Sequence, residues 1–594
     1  MQLQILFDAD WYVGAYPTVA ESGQEPFAHY LKTGDALGYR PNRLFDPAFY
    51  SGQCPDIPEK GGKRLTHYVE EGESRGLKPC PLFDPAFYRA RYPDLQGLKR
   101  PLLSHYLTHG GVGGRSPSTL FDGDWYLSQS SGQLSNDLDF LSHYLEHGDA
   151  GGLSPHPLFD PEHYSTQYPE LSRGGGARLI HFIESGGHDG SQPHPFFDPV
   201  FYLAQSPDLR GTRANLLVHY LEEGEKRGLL PDVLFDPGYY RKRYKDLNTL
   251  KTSLLVHYIQ FGRAEKRSPN ALFDPVWYLE NHNEAARDGQ DALTHYLLQG
   301  DSNDASPHPL FDPEYYGAQH PDLPCEQGAR LRHYLKHGGH DGSDPHPLFS
   351  SEFYRSQEPR LRAPRQGLLL HYLAEGEAQG LKPNPLFDPA FYAAHSPEVE
   401  RGPLSMLVHF AWMGGLAGRA PSALFDARLY AARNPKLAAS SPPVDPLTHY
   451  LTEGAESGES PHPAFDADWY RQQYYKEVRD SGLDPLSHFV AYGCELGFDP
   501  HPLFDSRWYR DAYASYLADE DVPFLHYLER GEGMGLQPSP FFDLRDYEKT
   551  YAVDLARGET LFGRFCRGAR RAQTCCSQEA RQGPWRDRGR TRGC

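Results

Sequence analysis

A histidine followed by tyrosine or phenylalanine recurs at one fixed repeat position in fourteen copies, at His29, His67, His105, His143, His181, His219, His257, His295, His333, His371, His409, His449, His488 and His526. An imidazole titrates near neutral pH and binds metals, so such a row could carry metal ligation or proton transfer. A metal site needs three or four converging ligands. The other histidines, such as His109, His147, His188, His337 and His340, are scattered among the copies and form no repeated set. The Pro-His-Pro histidines, His156, His194, His308, His346, His462 and His501, also occur in only some copies. Catalysis needs one site, whereas a residue present once per period fits a repeated packing duty. The sequence therefore predicts a half-buried structural histidine. One ring nitrogen would donate to a capping aspartate or a helix-end carbonyl, and the ring would pack against tyrosine. No Gly-rich phosphate loop, Gly-x-Ser-x-Gly or His-Glu-x-x-His is present. No residue is singled out as catalytic, cofactor-binding or metal-ligating, and no cofactor is expected.

The elements that must place this histidine repeat with it. Phe-Asp-x-x-x-Tyr recurs with a step of 38 residues from Phe7 to Phe425, then at Phe465, Phe504 and Phe542. A fixed period of this length marks a tandem-repeat architecture, read one unit at a time. In the third copy, Asp84-Pro85 is a helix start: aspartate accepts from first-turn amides, and proline suits N1. Pro93 stops the helix after about two turns. Asp445-Pro446 and Asp484-Pro485 show a second start in later copies. Leu103, Tyr106 and Leu107 then form an i, i+3, i+4 apolar stripe. Gly110, and its equivalents Gly34, Gly72, Gly148, Gly186 and Gly224, should end that helix as a left-handed C′ residue. Gly186–Gly190 and Gly338–Gly342, both Gly-Gly-His-Asp-Gly, occupy the same position and are expected to be turns, not phosphate or calcium loops. Glu70-Glu71 and Glu222-Glu223 fall on the polar face of the second helix. Trp11, Trp125, Trp277, Trp469 and Trp508 share the slot before the repeated tyrosine and are expected to pack. Helices this short do not stand alone in water, so stacking must stabilise them, with an aromatic nucleus at each interface. The expected fold is all-α: tandem 38-residue helix-turn-helix repeats stacked as an α-solenoid-like elongated array over residues 1–562.

The chain carries 59 Lys and Arg against 79 Asp and Glu, a net charge of −20. Such a surface repels phosphate backbones, so nucleic acid is not expected as a partner. No run of about 18 apolar residues is present, so no membrane span is expected. Met1 to Leu6 lacks a basic n-region and a long apolar h-region, so the expectation is a cytoplasmic protein. Cys54, Cys80, Cys325 and Cys494 sit at different repeat positions, unlike a disulfide framework.

Taken in order, Leu-Phe-Asp-Pro-x-x-Tyr, Pro-Asp-Leu, Leu-x-His-Tyr-Leu-x-x-Gly and Gly-Leu-x-Pro-x-Pro resemble a repeat of large bacterial proteins. Those proteins often carry it beside glycosyltransferase or rhamnan-synthesis-type domains of surface-polysaccharide assembly. The resemblance covers about 560 residues. It implies an accessory region without enzymatic activity, since it places no transferase residue in this chain. The expected function is a non-catalytic scaffold or interaction region of a glycan-assembly or glycosyltransferase protein, with a protein or glycan partner. The alternatives are a stand-alone carbohydrate- or protein-binding repeat protein and, behind it, a truncated glycosyltransferase. The fifteenth copy departs from the pattern: Arg564 fills the histidine slot, and nine Arg and four Cys follow from there to Cys594. Residues 563–594 are expected to be a disordered basic tail. The composition switch suggests a reading-frame change; a native tail binding an acidic partner or RNA is the alternative.

Overall fold

The computed structural model describes residues 2–54, 63–129, 138–282, 290–362, 366–397, 404–439, 443–518 and 521–543, with 285, 399, 547 and 561–566. It is an all-α repeat array, and among the described residues β structure is limited to isolated bridges beside the Leu-Phe-Asp links. The chain divides into two compact units, Met1–Asn270 and Ala271–Cys594.

Each copy is built as the sequence implies. In the third, Asp84 accepts from the Phe87 amide at 3.0 Å and starts a helix over Pro85–Arg91. Pro93 opens a tight turn, Pro93–Leu95, in place of a further α-turn. A second helix begins at Leu102, and the chain returns through an extended link in which the Asp84 amide donates to the Pro117 carbonyl. Ser350 caps like the aspartates, through the Phe353 amide. Asp445 and Asp484 each accept two amides at the start of the second helix.

The core of a copy is an aromatic trio. Phe83 lies 5.5 Å from Tyr88 and 5.4 Å from Tyr106, and the two tyrosine rings meet edge-on at 5.7 Å. All three are fully buried, and each such ring pair adds about 1 kcal/mol beyond its buried area. The trio lies within one copy, a correction to its expected place between copies.

Carboxylates do much of the joining between copies. The residue after the helix-end glycine reaches the start of the next copy's second helix, where amides are unpaired. Glu73 takes the Leu102 amide at 2.8 Å, Glu225 takes that of Leu254 at 2.9 Å, and Glu377 takes that of Met406 at 3.0 Å. A shorter aspartate goes with arginine 29 residues on: Asp35 with Arg64, Asp149 with Arg178 and Asp301 with Arg330. Where the helix supplies its own cap, as at Asp139, Asn215 and Asp445, the carboxylate slot holds Gly111, Gly187 or Gly415; a Cβ there would collide with the cap. Within the first unit, Arg43 bonds Glu146 and Thr119 bonds Glu222, each 103 residues apart. The chain there coils so that copies beyond nearest neighbours also meet.

The fifteenth copy extends further than expected. Residues 561–566 are helical, the Leu561 amide bonds Glu532, and Phe562 is fully buried against Tyr527 and Phe542. The array therefore includes 563–566, which the expected boundary assigned to the tail. Residues 567–594, with Cys575, Cys576 and Cys594, lie outside the described residues.

Candidate functional site: the tyrosine–histidine pairs

The recurrent histidine is held by the recurrent tyrosine. In all fourteen complete copies the hydroxyl of the first-helix tyrosine meets Nδ1 of the histidine, at 2.6–3.1 Å. Tyr240 and His257 are 3.1 Å apart, and Tyr354 and His371 are 2.7 Å apart. The expected partners, a capping aspartate or a helix-end carbonyl, are replaced by this phenol. The reason is geometric: the first helix presents its buried face to the second, and the capping aspartate is spent on its own first turn.

Four copies favour one hydrogen position. Glu71, Glu223, Glu375 and Glu453 stand one turn on, 3.6–4.0 Å from Nε2 of His67, His219, His371 and His449. A negative charge on that side favours the tautomer with its hydrogen on Nε2, in which Nδ1 accepts and the tyrosine hydroxyl donates. In other copies burial lowers the imidazole pKa, at His105, His143, His257, His333 and His488. The paired phenols are pushed up by burial, Tyr240 and Tyr354 among them. In those five copies both partners are thus held neutral.

The glycine belongs to the same device, and its expected role is corrected. Gly186, Gly300, Gly338 and Gly493 have φ of −57°, −62°, −58° and −60°, which is ordinary helical backbone. The second helix ends in a widened turn, in which the Asp35 amide bonds the Tyr30 carbonyl five residues back, as the Glu225 amide bonds Tyr220. This π-turn recurs in every complete copy. A Cβ on Gly376 would overlap the Tyr354 hydroxyl and lie 3.1 Å from its Cζ. Close approach, not positive φ, therefore selects glycine. The left-handed residue comes four positions later, at Gly38, Gly76 or Gly228, and Lys266 and Asp304 adopt it at φ 54° and 55°. Gly190 and Gly342 fill that slot at φ 93° and 102°, so the two Gly-Gly-His-Asp-Gly strings are turns, as expected.

Nine of the other histidines fall into two groups. His109, His147 and His337 lie beside the paired rings of His105, His143 and His333, at 5.8, 5.5 and 5.4 Å. The Pro-His-Pro histidines are turn-makers: Nδ1 of His156 accepts the Leu158 amide, and Nδ1 of His194 the Phe196 amide, both at 3.1 Å. His308, His346, His462 and His501 do the same. Asn42 fills this slot in the second copy, its side-chain oxygen taking the Leu44 and Phe45 amides. Among the described residues no group of three or more His, Cys, Asp or Glu could hold a metal ion. Cys54, Cys80, Cys494 and Cys566 are buried free thiols, and Cys325 is exposed. Glu70, Glu71, Glu222 and Glu223 are exposed, and the five tryptophans are half-buried. No helix among the described residues is long and apolar enough to cross a membrane.

The turn histidines give the array an acid sensitivity. Burial pushes the pKa of His156 and His194 down to about 3. A backbone amide cannot reverse its role, so protonating Nδ1 costs the turn its hydrogen bond. Unfolded histidine titrates near pH 6.5, and below that the unfolded chain binds more protons. The stability these groups contribute is full above that pH and is lost as pH falls. Against wild type, H156N/H194N should therefore gain on the order of 2 kcal/mol per replaced histidine between pH 7 and pH 5. Denaturant titrations at the two pH values measure it; parallel losses in both proteins would contradict it.

No family model, no curated protein and no solved structure matches the chain.

Proposed function

We propose that this chain is a non-catalytic repeat scaffold, an interaction region that serves as an accessory part of a bacterial cell-surface glycan-assembly or glycosyltransferase protein. The observation that carries the scaffold reading is the fourteen-fold tyrosine–histidine bond. The residue with the greatest chemical potential is committed, in each complete copy, to holding two short helices together. The exposed face also differs between copies, and there a repeat protein diversifies its contacts. The glycan association is supported by the Leu-Phe-Asp-Pro-x-x-Tyr and Leu-x-His-Tyr-Leu-x-x-Gly resemblance.

Incubating the purified chain with nucleotide sugars and, separately, with surface polysaccharide tests both parts. The expected outcome is saturable polysaccharide binding with no release of nucleoside diphosphate. Turnover that His257→Ala abolishes would overturn the scaffold reading. Absence of polysaccharide binding, with or without acidic sugars, would remove the glycan part.

A further inference from the structure

We infer that the junction of the sixth and seventh copies is an oxyanion-binding groove that takes a phosphate- or carboxylate-bearing sugar. The groove encloses about 450 Å³ and is lined by Lys226, Arg241, Lys242 and Lys245, with Gly238 at its wall and Glu225 at its base. Four cations against one carboxylate leave the lining at +3, on a chain whose net charge is −20. The stretch 225–254 is likewise inverted, with seven Lys and Arg against four Asp and Glu.

The one acid does not cancel the cations. Glu225 accepts from the Tyr220 hydroxyl at 2.9 Å, the Ser253 hydroxyl at 2.6 Å and the Leu254 amide at 2.9 Å. Its charge is thus absorbed by the join between copies, and Arg241 stands 4.0 Å off, half exposed. Lys226 donates to the Glu222 carbonyl at 2.7 Å, which carries no charge. Lys242 and Lys245 are exposed, and among the described residues neither forms an ion pair.

Comparison with the third copy isolates what is special. The joint there is the same, with Glu73 on the Leu102 amide and Arg89 at 3.7 Å from Glu73. Yet the slots of Lys226, Lys242 and Lys245 hold Ser74, Ala90 and Pro93, and the slot of Gly238 holds Ala86. Stability of the joint thus requires neither the lysines nor the glycine. Gly238 has ordinary backbone, and a Cβ there would meet only the Asp236 carboxylate, at 3.2 Å, so its absence serves to open space. Three lysines around an opened wall match a compact anion with several oxygens, since each ammonium offers three donors.

The oxyanion rests on the groove alone; the sugar rests on the proposed function. Calorimetric titration of the whole chain with inorganic phosphate and with galacturonate separates the two. Two variants, K242A/K245A and G238V, are compared with wild type; valine is the residue that Val200 and Val276 place in the same slot. The expected result is saturable binding of at least one probe, weakened tenfold or more in both variants, with unchanged melting temperature. Phosphate binding alone assigns the anion as phosphate, and galacturonate binding alone assigns it as carboxylate. Binding of neither probe, or binding that both variants retain, overturns the site. Polysaccharide binding that persists in both variants would overturn the groove while leaving the proposed function standing.

Discussion

Arg178→Leu should cost the first unit about 3–5 kcal/mol, the loss that follows when one partner of a buried ion pair is removed. Arg178 and Asp149 are both fully buried. The Arg178 Nε bonds the Asp149 carboxylate at 2.8 Å, one terminal nitrogen bonds the Asp149 carbonyl, and the other reaches the Pro161 carbonyl and the Ser165 hydroxyl, each at 3.2 Å. Removing the guanidinium leaves a buried carboxylate with the Ala177 amide at 3.1 Å and the Tyr144 hydroxyl at 3.4 Å as its remaining bonds. The array also contains the remedy. Glu225 with Leu254 and Glu73 with Leu102 solve the same joint with leucine in the slot of Arg178. D149E/R178L should therefore recover more than half of the loss, because the longer acid reaches the amide of residue 178, as Glu73 and Glu225 reach the equivalent amides of Leu102 and Leu254, while leucine fills the apolar space. Equilibrium denaturation of the two variants measures this. A single mutant within 1 kcal/mol of wild type, or a double mutant no better than the single, would contradict the exchange.

Much of the array was legible before any coordinates. The Asp-Pro starts, the Pro93 stop and the 38-residue step all follow from local chemistry, and Asp84, Pro85 and Pro93 act as expected. The glycine was misjudged because glycine suits either a left-handed turn or a close approach. The clue was in the sequence: a second glycine follows four residues later, at Gly38 or Gly76, and that one has positive φ. The π-turn left no trace, since an i→i+5 bond over five residues does not alter the apolar stripe that marks a helix. The histidine's partner could have been found from the irregular copies. Tyr430 and His449 are 19 residues apart and Tyr470 and His488 are 18 apart, against 17 elsewhere, yet the bond persists. The extra residues fall in the connection between the two helices, which in the later copy is itself helical over Tyr475–Ser481, so spacing changes while contact does not. The Asp–Arg and Glu–Leu exchange at 29 residues was also open to comparison of copies. The groove at Gly238 was less legible, because it depends on side chains from two copies meeting.

Gly376→Ala should destabilise the second unit by about 3 kcal/mol, at the upper end of what overpacking costs. Its Cβ would occupy the space of the Tyr354 hydroxyl oxygen, which in turn bonds Nδ1 of His371 at 2.7 Å. Neither helix can yield easily, since Tyr354, Tyr372 and Phe349 are fully buried around the contact. Tyr354→Phe by itself should cost about 1 kcal/mol, for the lost hydrogen bond. Combined, the two changes should not add. With the oxygen gone, the alanine methyl meets Cζ of the ring at 3.1 Å, a contact that a few tenths of an ångström relieves. The decisive measurement is this double-mutant cycle, read by denaturant unfolding. If tyrosine, histidine and glycine form one internal lock, G376A/Y354F will be more stable than G376A. Strictly additive losses, or a double mutant less stable than G376A, would show that the histidine and its tyrosine are not committed to the fold as described.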